Sequence, residues 1–204
     1  MSRLRDQQIW TKIEDSNVSE NAREAILAAA RSAAQLHGYS GINFRSIAEE
    51  VGIKNASIYY HFASKADLGA AVAERYWQDT LAMLEAIRAS STDPHQCLQL
   101  YPSIFRKSLK DDNRLCLSSF MAAEYEDLPD QVSKEVEAFA DVNVKWLAEV
   151  LADAGWDAGP ACERRARAIY TAVAGAQLIA RTRADINLFD ELMLSFQEAG
   201  LIPA

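Results

Sequence analysis

The chain has 204 residues, of which 50% are hydrophobic and 25% are charged, a balance typical of globular proteins that argues against a disordered or fibrous chain. No apolar run is long enough to span a bilayer, and residues 1–20 carry charges throughout without the apolar core of a signal peptide. We therefore expect a cytoplasmic protein without a membrane partner. The net charge of −8 is uneven: residues 1–65 hold 8 basic and 7 acidic side chains, and residues 66–204 hold 13 and 22. Only the first third could approach nucleic acid without strong repulsion.

Apolar residues recur at helical spacing throughout, and no alternating strand pattern is present. The sequence predicts an all-α fold of about nine helices. The first is expected to open at Asn21, where Glu24 completes a capping box, and to end near His37. Residues 1–20 would then be an N-terminal extension. Two short helices at 44–51 and 55–61 follow, separated by three residues that include Gly52, which is the turn chemistry of a helix-turn-helix.

A long helix capped by Ser64 is predicted to run to about residue 89. The remaining helices are expected at about 95–110, 114–126, 130–154, 160–183 and 187–199. The helix-turn-helix thus falls within residues 21–66, and residues 67–204 form a helical remainder.

Signatures of catalysis and metal binding are missing from the sequence. It has no GxSxG, P-loop, GxGxxG or HExxH motif. The cysteines and histidines stand apart from one another, at Cys97, Cys116, Cys162, His37, His61 and His95. These spacings predict reduced thiols, no metal site, no cofactor and no enzyme activity.

The segment from Asn43 to Lys65 is the most informative part of the chain. Phe44, Ile47 and Ala48 form the apolar side of a short helix, and Ile58 continues it in the next one. The residues left outside offer short polar groups, aromatic hydroxyls and two cations: Lys54, Asn55, Ala56, Ser57, Tyr59, Tyr60, His61 and Lys65. Such side chains suit phosphate anchoring and major-groove recognition. The alternative is that the two tyrosines pack against the first helix and the polar residues only solubilise the surface.

The stretch from Ala22 to Leu68 resembles the DNA-binding head of the TetR family of bacterial repressors. The resemblance rests on AREAILAAA in the first helix, Gly38-Tyr39, FRSIA in the second helix, Gly52, and IYYHF followed by Ser64-Lys65. It implies a homodimer that binds a double-stranded DNA operator, with a DNA-binding domain at 21–66 and an effector-binding and dimerisation domain at 67–204. The sequence departs from common family patterns at Asn55-Ala56 and at Ala63, so the resemblance does not imply an operator sequence.

By the same resemblance, two sets of residues would meet DNA. Arg45, Ser57, Tyr59, His61 and Lys65 would contact the DNA backbone. Lys54, Asn55, Ala56 and Tyr60 would face base edges.

The last two helices are the family's usual dimerisation surface. Their small and large apolar residues suit close helix packing: Ala172, Gly175, Ala176, Ile179, Phe189, Leu192 and Phe196. The alternative is that these residues form the core of a monomeric bundle.

The middle helices are rich in side chains that could surround an apolar or aromatic small-molecule effector. The candidates are Trp77, Phe105, Cys116, Phe120, Tyr125, Trp146 and Tyr170. An aromatic stripe can equally be ordinary core. The segment Leu115-Cys116-Leu117 ahead of Ala122-Ala123-Glu124 is similar to one in a TetR subgroup, some members of which sense electrophiles or oxidants through that cysteine. Cys116 is therefore either a reactive thiol or a small buried hydrophobe.

These observations favour a ligand-responsive repressor that an effector releases from a palindromic operator. Two alternatives stay open. One is an architectural or activating DNA-binding protein without an effector, and the other is a helical adaptor whose tyrosine-rich helix binds protein.

Overall fold

The all-α prediction is confirmed. The computed structural model describes the backbone of residues 2–156 and 158–203 and the side chains of residues 19–156 and 158–203. Within these ranges the chain forms helices and no strand. The α-helices are α1 (Ser2–His37), α2 (Phe44–Val51), α3 (Asn55–His61), α4 (Lys65–Ser90), α5 (Pro94–Leu100), α6 (Ser103–Lys110), α7 (Leu117–Ala122), α8 (Asp130–Asp153), α9 (Pro160–Arg183) and α10 (Ile186–Glu198). Two 3-10 turns lie at Tyr39–Gly41 and Tyr125–Asp127. Among the described helices, none is long and apolar enough to cross a membrane.

The chain divides into two compact units, one ending at Val72 and the other beginning at Ala73. The boundary falls inside α4. The first unit holds α1, α2, α3 and the first turns of α4, and the second unit holds the rest of the chain.

The start of α1 differs from the prediction. The helix begins at Ser2, so Asn21 lies in its interior and does not cap it. No glycine or proline occurs in residues 1–20, and the chain therefore lacks the residues that most strongly end a helix. A good capping residue alone does not stop a helix that can continue on both sides.

Local rules fix the start and end of α2. The side-chain oxygen of Asn43 accepts hydrogen bonds from the backbone N–H groups of Arg45 and Ser46, at 2.9 and 3.2 Å. Gly52 ends the helix with φ 76°, the left-handed region that glycine adopts without steric cost. The glycine turn then leads directly into α3.

The core of the first unit is built from the inner faces of its short helices and α1. Ile26 and Ala30 in α1 are fully buried, together with Ile47 in α2 and Ile58 in α3. A Cβ atom at Gly41 would lie 2.6 Å from His37 Cβ and 2.8 Å from Ala33 O. Only glycine fits this close approach between the 3-10 turn and α1.

Two predicted helices of the second unit are interrupted. The one expected at about 95–110 is split into α5 and α6 at Tyr101-Pro102, where proline supplies no backbone N–H. The one expected at about 114–126 is shortened to α7, and the 3-10 turn Tyr125–Asp127 follows it.

Side-chain hydrogen bonds join α6 and α7 to the last two helices. The buried Gln177 of α9 donates from Nε2 to Phe105 O at 2.7 Å, and its Oε1 accepts from Cys116 N at 3.1 Å. The guanidinium of Arg106 in α6 binds both carboxylate oxygens of Asp190 in α10, at 2.7 and 2.8 Å. The Cys116 bond satisfies a backbone donor that the start of α7 leaves without an intrahelical partner.

Candidate nucleic-acid interface and effector domain

The helix α3 presents one apolar and one open face. Ile58 and Phe62 point into the core, with 0% and 4% of their surface exposed. Ala56 and Tyr60 lie two residues to either side of Ile58, which places them on the opposite side of a helix with 3.6 residues per turn. Tyr60 is 81% exposed, so the alternative that it packs against α1 does not hold.

Tyr59 is partly fixed although 56% of its surface is exposed. Its ring meets the ring of Phe44 edge-on, with centroids 4.9 Å apart. The next side chain, Tyr60, makes a similar edge contact with His61 at 5.1 Å. Ring contacts of this kind limit the directions in which the hydroxyl groups can point.

Lys65, at the start of α4, is held against the 3-10 turn. Its Nζ donates to Ser40 O at 3.2 Å and lies 4.5 Å from the ring centroid of Tyr39. These contacts hold the ammonium against the 3-10 turn. Ser64 caps α4 as the sequence predicts, because its Oγ accepts a hydrogen bond from Asp67 N at 3.1 Å.

All nine residues predicted to meet DNA lie on α2, the turn, α3 and the first residue of α4. Three are half-buried, namely Ser57, His61 and Lys65. The other six are exposed: Arg45, Lys54, Asn55, Ala56, Tyr59 and Tyr60. The Arg45 guanidinium pairs with Glu49 at 3.2 Å across one turn of α2, a weak exposed contact that leaves most of its donors available.

The second unit contains a cluster of aromatic rings. Tyr101 stacks on Trp146 at 5.9 Å, and Phe105 contacts Phe139 and Tyr170 at 6.5 and 6.2 Å. The hydroxyl of Tyr101 donates to Asn143 Oδ1 at 2.9 Å. Phe105, Trp146 and Tyr170 of the predicted effector residues therefore come together, with Tyr76, Tyr101 and Phe139 as further members.

Three predicted effector residues lie outside this cluster. Tyr125 is 48% exposed and donates to Glu137 Oε1 at 2.8 Å. The indole of Trp77 donates to Glu135 Oε2 at 2.7 Å. Phe120 lies under the guanidinium of Arg181, 5.4 Å from its ring centroid. A polar partner, and not an aromatic neighbour, orients each of these three rings.

Cys116 is 1% exposed and adjoins the aromatic cluster. Burial raises the pKa of its thiol, and this outweighs the hydrogen bonds from Ser119 and Tyr76 that act in the opposite direction. A thiol of raised pKa is protonated and unreactive at neutral pH. The structure thus supports the buried alternative for this cysteine in the state described.

The residues predicted at the dimer interface separate into inward and outward groups. Ala176 and Phe189 are buried within the chain itself, at 4% and 1%. Ala172, Leu192 and Phe196 are half-buried, and Gly175 and Ile179 are exposed. Leu178 and Leu194 are also exposed, at 47% and 59%, and neither is among the residues that the sequence predicts there.

A short helix, a left-handed glycine turn and a second helix with an exposed polar and aromatic face define a helix-turn-helix DNA-binding protein. In the described part of the chain, no group of three or more His, Cys, Asp or Glu side chains could hold a metal ion.

Comparisons with known proteins agree with this class. The family model for bacterial regulatory proteins of the tetR family matches residues 26–72. A TetR transcriptional regulator from Legionella pneumophila is 30% identical, with 86% of this chain and 95% of that chain covered and a TM-score of 0.81. A TetR-family regulator from Agrobacterium tumefaciens is 28% identical, with 89% and 98% covered and a TM-score of 0.82. No match is found among curated proteins. The chain belongs to the TetR family of bacterial transcriptional regulators.

A similar fold is also found in a solved structure of lower identity. The reduced form of Escherichia coli NemR has a TM-score of 0.76 at 19% identity, with 87% of this chain and 96% of that chain covered. At this identity the likeness concerns the fold alone.

Proposed function

We propose that the protein is a ligand-responsive repressor that binds a palindromic operator as a homodimer and is released by a small-molecule effector. Residues 21–66 bind DNA, and residues 67–204 bind the effector and the second protomer. The exposed face of α3 carries this proposal, because Ala56 and Tyr60 project from the side of the helix opposite the buried Ile58, and Asn55 is exposed at its first residue. A helix of this kind can enter the major groove without disturbing its own core.

The contacts are divided between positioning and recognition. Arg45, Ser57, Tyr59, His61 and Lys65 bind the DNA backbone. Lys54, Asn55, Ala56 and Tyr60 face the bases. The amide of Asn55 can pair with adenine through two hydrogen bonds, and Lys54 can pair with guanine.

The second unit supplies dimerisation and control. An apolar face on α9 and α10 that includes Ile179 and Leu194, 49% and 59% exposed, is covered by the second copy. An apolar or aromatic effector binds the form of the dimer that fits the operator poorly, and the difference between its affinities for the two forms sets the extent of release.

Selection from random double-stranded DNA tests the DNA-binding part. The purified protein should enrich an inverted repeat whose half-sites lie about 34 to 36 Å apart, one helical turn. Binding to the enriched site should weaken steeply as salt rises from about 50 to 200 mM. Enrichment of no sequence, with no salt-dependent retention of DNA, would contradict the proposal and favour a protein-binding adaptor.

A further inference from the structure

A groove of about 520 Å³ runs between α8 and α9 in the second unit. Ala140, Val144 and Ala148 of α8 line it with small apolar side chains, and Tyr170 and Thr171 of α9 line the other wall. A volume of this size lies within the range of sites that hold small molecules. The short side chains of α8 are what leave the space open.

Two cations enter the groove from opposite walls. Lys145 projects from α8 and Arg167 from α9. The thiol of Cys162 donates to Ala148 O at 3.1 Å, and in an antiparallel helix pair this register brings Arg167 to nearly the level of Lys145. Both cations therefore lie beside the apolar lining formed by Val144 and Ala148.

Some of the charged side chains that line the groove have ion-pair partners, and others do not. Glu149 binds Arg88 at 3.1 Å, and Glu163 binds Arg167 at 3.0 Å. Among the described residues Lys145 has no ion-pair partner, and Asp141 also lacks one. Arg167 uses one of its five N–H donors on Glu163. Two cations from two walls thus retain hydrogen-bonding capacity, against a single unpaired carboxylate one turn away on α8.

Tyr170 connects the groove to the buried aromatic cluster. Its ring lines the groove and contacts Phe105 and Phe139 with centroids 6.2 and 6.4 Å apart. A molecule that lies against this ring touches the same side chain that packs on α6 and α8. Binding in the groove therefore acts directly on the packing of the cluster.

We propose that the α8–α9 groove binds an apolar carboxylate, with the carboxylate held by Lys145 and Arg167 and the aromatic or aliphatic body against Val144, Ala148 and Tyr170. This rests on the proposed function, in which the second unit binds an effector, and it names the chemical class and the site. Charge-assisted hydrogen bonds from a lysine and an arginine make the groove specific for a carboxylate.

Calorimetric titration with 2-naphthoate and decanoate tests the site. The full-length protein should bind at least one of them, and 2-naphthamide, which lacks the charge, should bind at least about tenfold more weakly than 2-naphthoate. Lys145→Glu should weaken carboxylate binding at least about tenfold. The control Lys134→Glu makes the same charge change at an exposed position of α8 outside the groove and should keep the affinity within about twofold. Ala148→Trp, verified as folded by circular dichroism, should block binding by filling the groove.

Absence of binding by both carboxylates overturns the inference, as does equal weakening by Lys145→Glu and Lys134→Glu. Release of DNA is measured separately with the operator obtained by selection. Carboxylate binding that depends on Lys145 but leaves DNA affinity unchanged supports the groove and contradicts effector control. Failure to bind any DNA contradicts the proposed function, and the titration still decides whether the groove binds carboxylates.

Discussion

The ring of Tyr59 in α3 lies edge-on against the ring of Phe44 in α2, with their centroids 4.9 Å apart. The packing of the first helix of the motif thus determines where a side chain of the second helix points. Phe44 makes no proposed contact with DNA, yet its size and shape are part of the geometry of the DNA-binding surface.

Loss of the Tyr59 hydroxyl, or of the Phe44 ring that positions it, should therefore weaken binding to all operators alike. We expect Tyr59→Phe to reduce the free energy of DNA binding by about 1.5 to 3 kcal/mol, the range for a hydrogen bond to a charged group. Phe44→Leu should cost less, about 0.5 to 1.5 kcal/mol. The double variant should lose less than the sum, since Phe44 acts by positioning the hydroxyl that Tyr59→Phe removes. Fluorescence anisotropy with the selected operator measures these losses. Strictly additive losses would mean that Phe44 does not act through Tyr59. Tyr125→Phe, at an exposed ring of the second unit, is the control.

Lys65→Ala should reduce the dependence of DNA affinity on salt. If the Lys65 ammonium meets one phosphate, the slope of log K against log salt should become shallower by about one unit. Lys107→Ala removes an exposed lysine from α6 in the second unit and should leave the slope as it is. An unchanged slope for Lys65→Ala would mean that its contacts with Ser40 and Tyr39 serve the fold and not the DNA.

Asn55→Ala and Tyr60→Ala should change which sequence is selected from random DNA. Each base contact is worth about 1 to 3 kcal/mol of discrimination, so the change should be confined to one or two symmetric positions. Tyr59→Phe and His61→Ala should enrich the parental sequence with lower affinity. Recovery of the parental motif by the Asn55 and Tyr60 variants would show that the bases are recognised by other side chains.

The protein should be a dimer of about 45 kDa by light scattering, twice the 22.6 kDa of the chain. Leu194 and Ile179 are 59% and 49% exposed on the apolar face of α9 and α10. Leu194→Asp and Ile179→Asp each place a charge on this face, and each should shift the mass toward that of the monomer at micromolar concentration. Leu100→Asp makes the same change at a residue of α5 that is 38% exposed and should remain dimeric. A parental protein of 22.6 kDa would refute the prediction.

Cys116 should resist alkylation in the folded protein. Burial raises the pKa of its thiol, so the reactive thiolate is scarce at pH 7 and becomes more abundant only as pH rises toward that pKa. Iodoacetamide followed by mass spectrometry of the Cys116 peptide should show slow labelling in buffer and rapid labelling in urea. Equal rates in both conditions would contradict the buried assignment and support a sensing role.

Short-range signals made the helix-turn-helix predictable from the sequence. The cap at Asn43, the turn at Gly52 and the cap at Ser64 act over at most four residues, and the observed bounds of α2 and α3 agree with those predicted. The predicted start of α1 at Asn21 is wrong, because a capping residue does not begin a helix where no glycine or proline ends the helix before it. The interruption at Pro102 was missed although the proline is visible in the sequence.

The arrangement of the aromatic residues in the second unit depends on contacts that no local pattern encodes. Tyr125 and Tyr170 are both aromatic residues of predicted helices, but only the second packs among other rings. The difference arises from the pairing of α8 with α9 and from the shortening of α7. The groove beside Tyr170 was not predicted for the same reason, since its walls come from two helices.

The single amide of Gln177 restricts how this protein can change. Its Nε2 donates to Phe105 O and its Oε1 accepts from Cys116 N, so a replacement must offer one donor and one acceptor at the same reach. Glutamate has no N–H to donate, and asparagine is one methylene too short. An engineered variant of this fold can therefore change the aromatic rings of the cluster. It must keep Gln177, or provide new hydrogen-bond partners for both Phe105 O and Cys116 N.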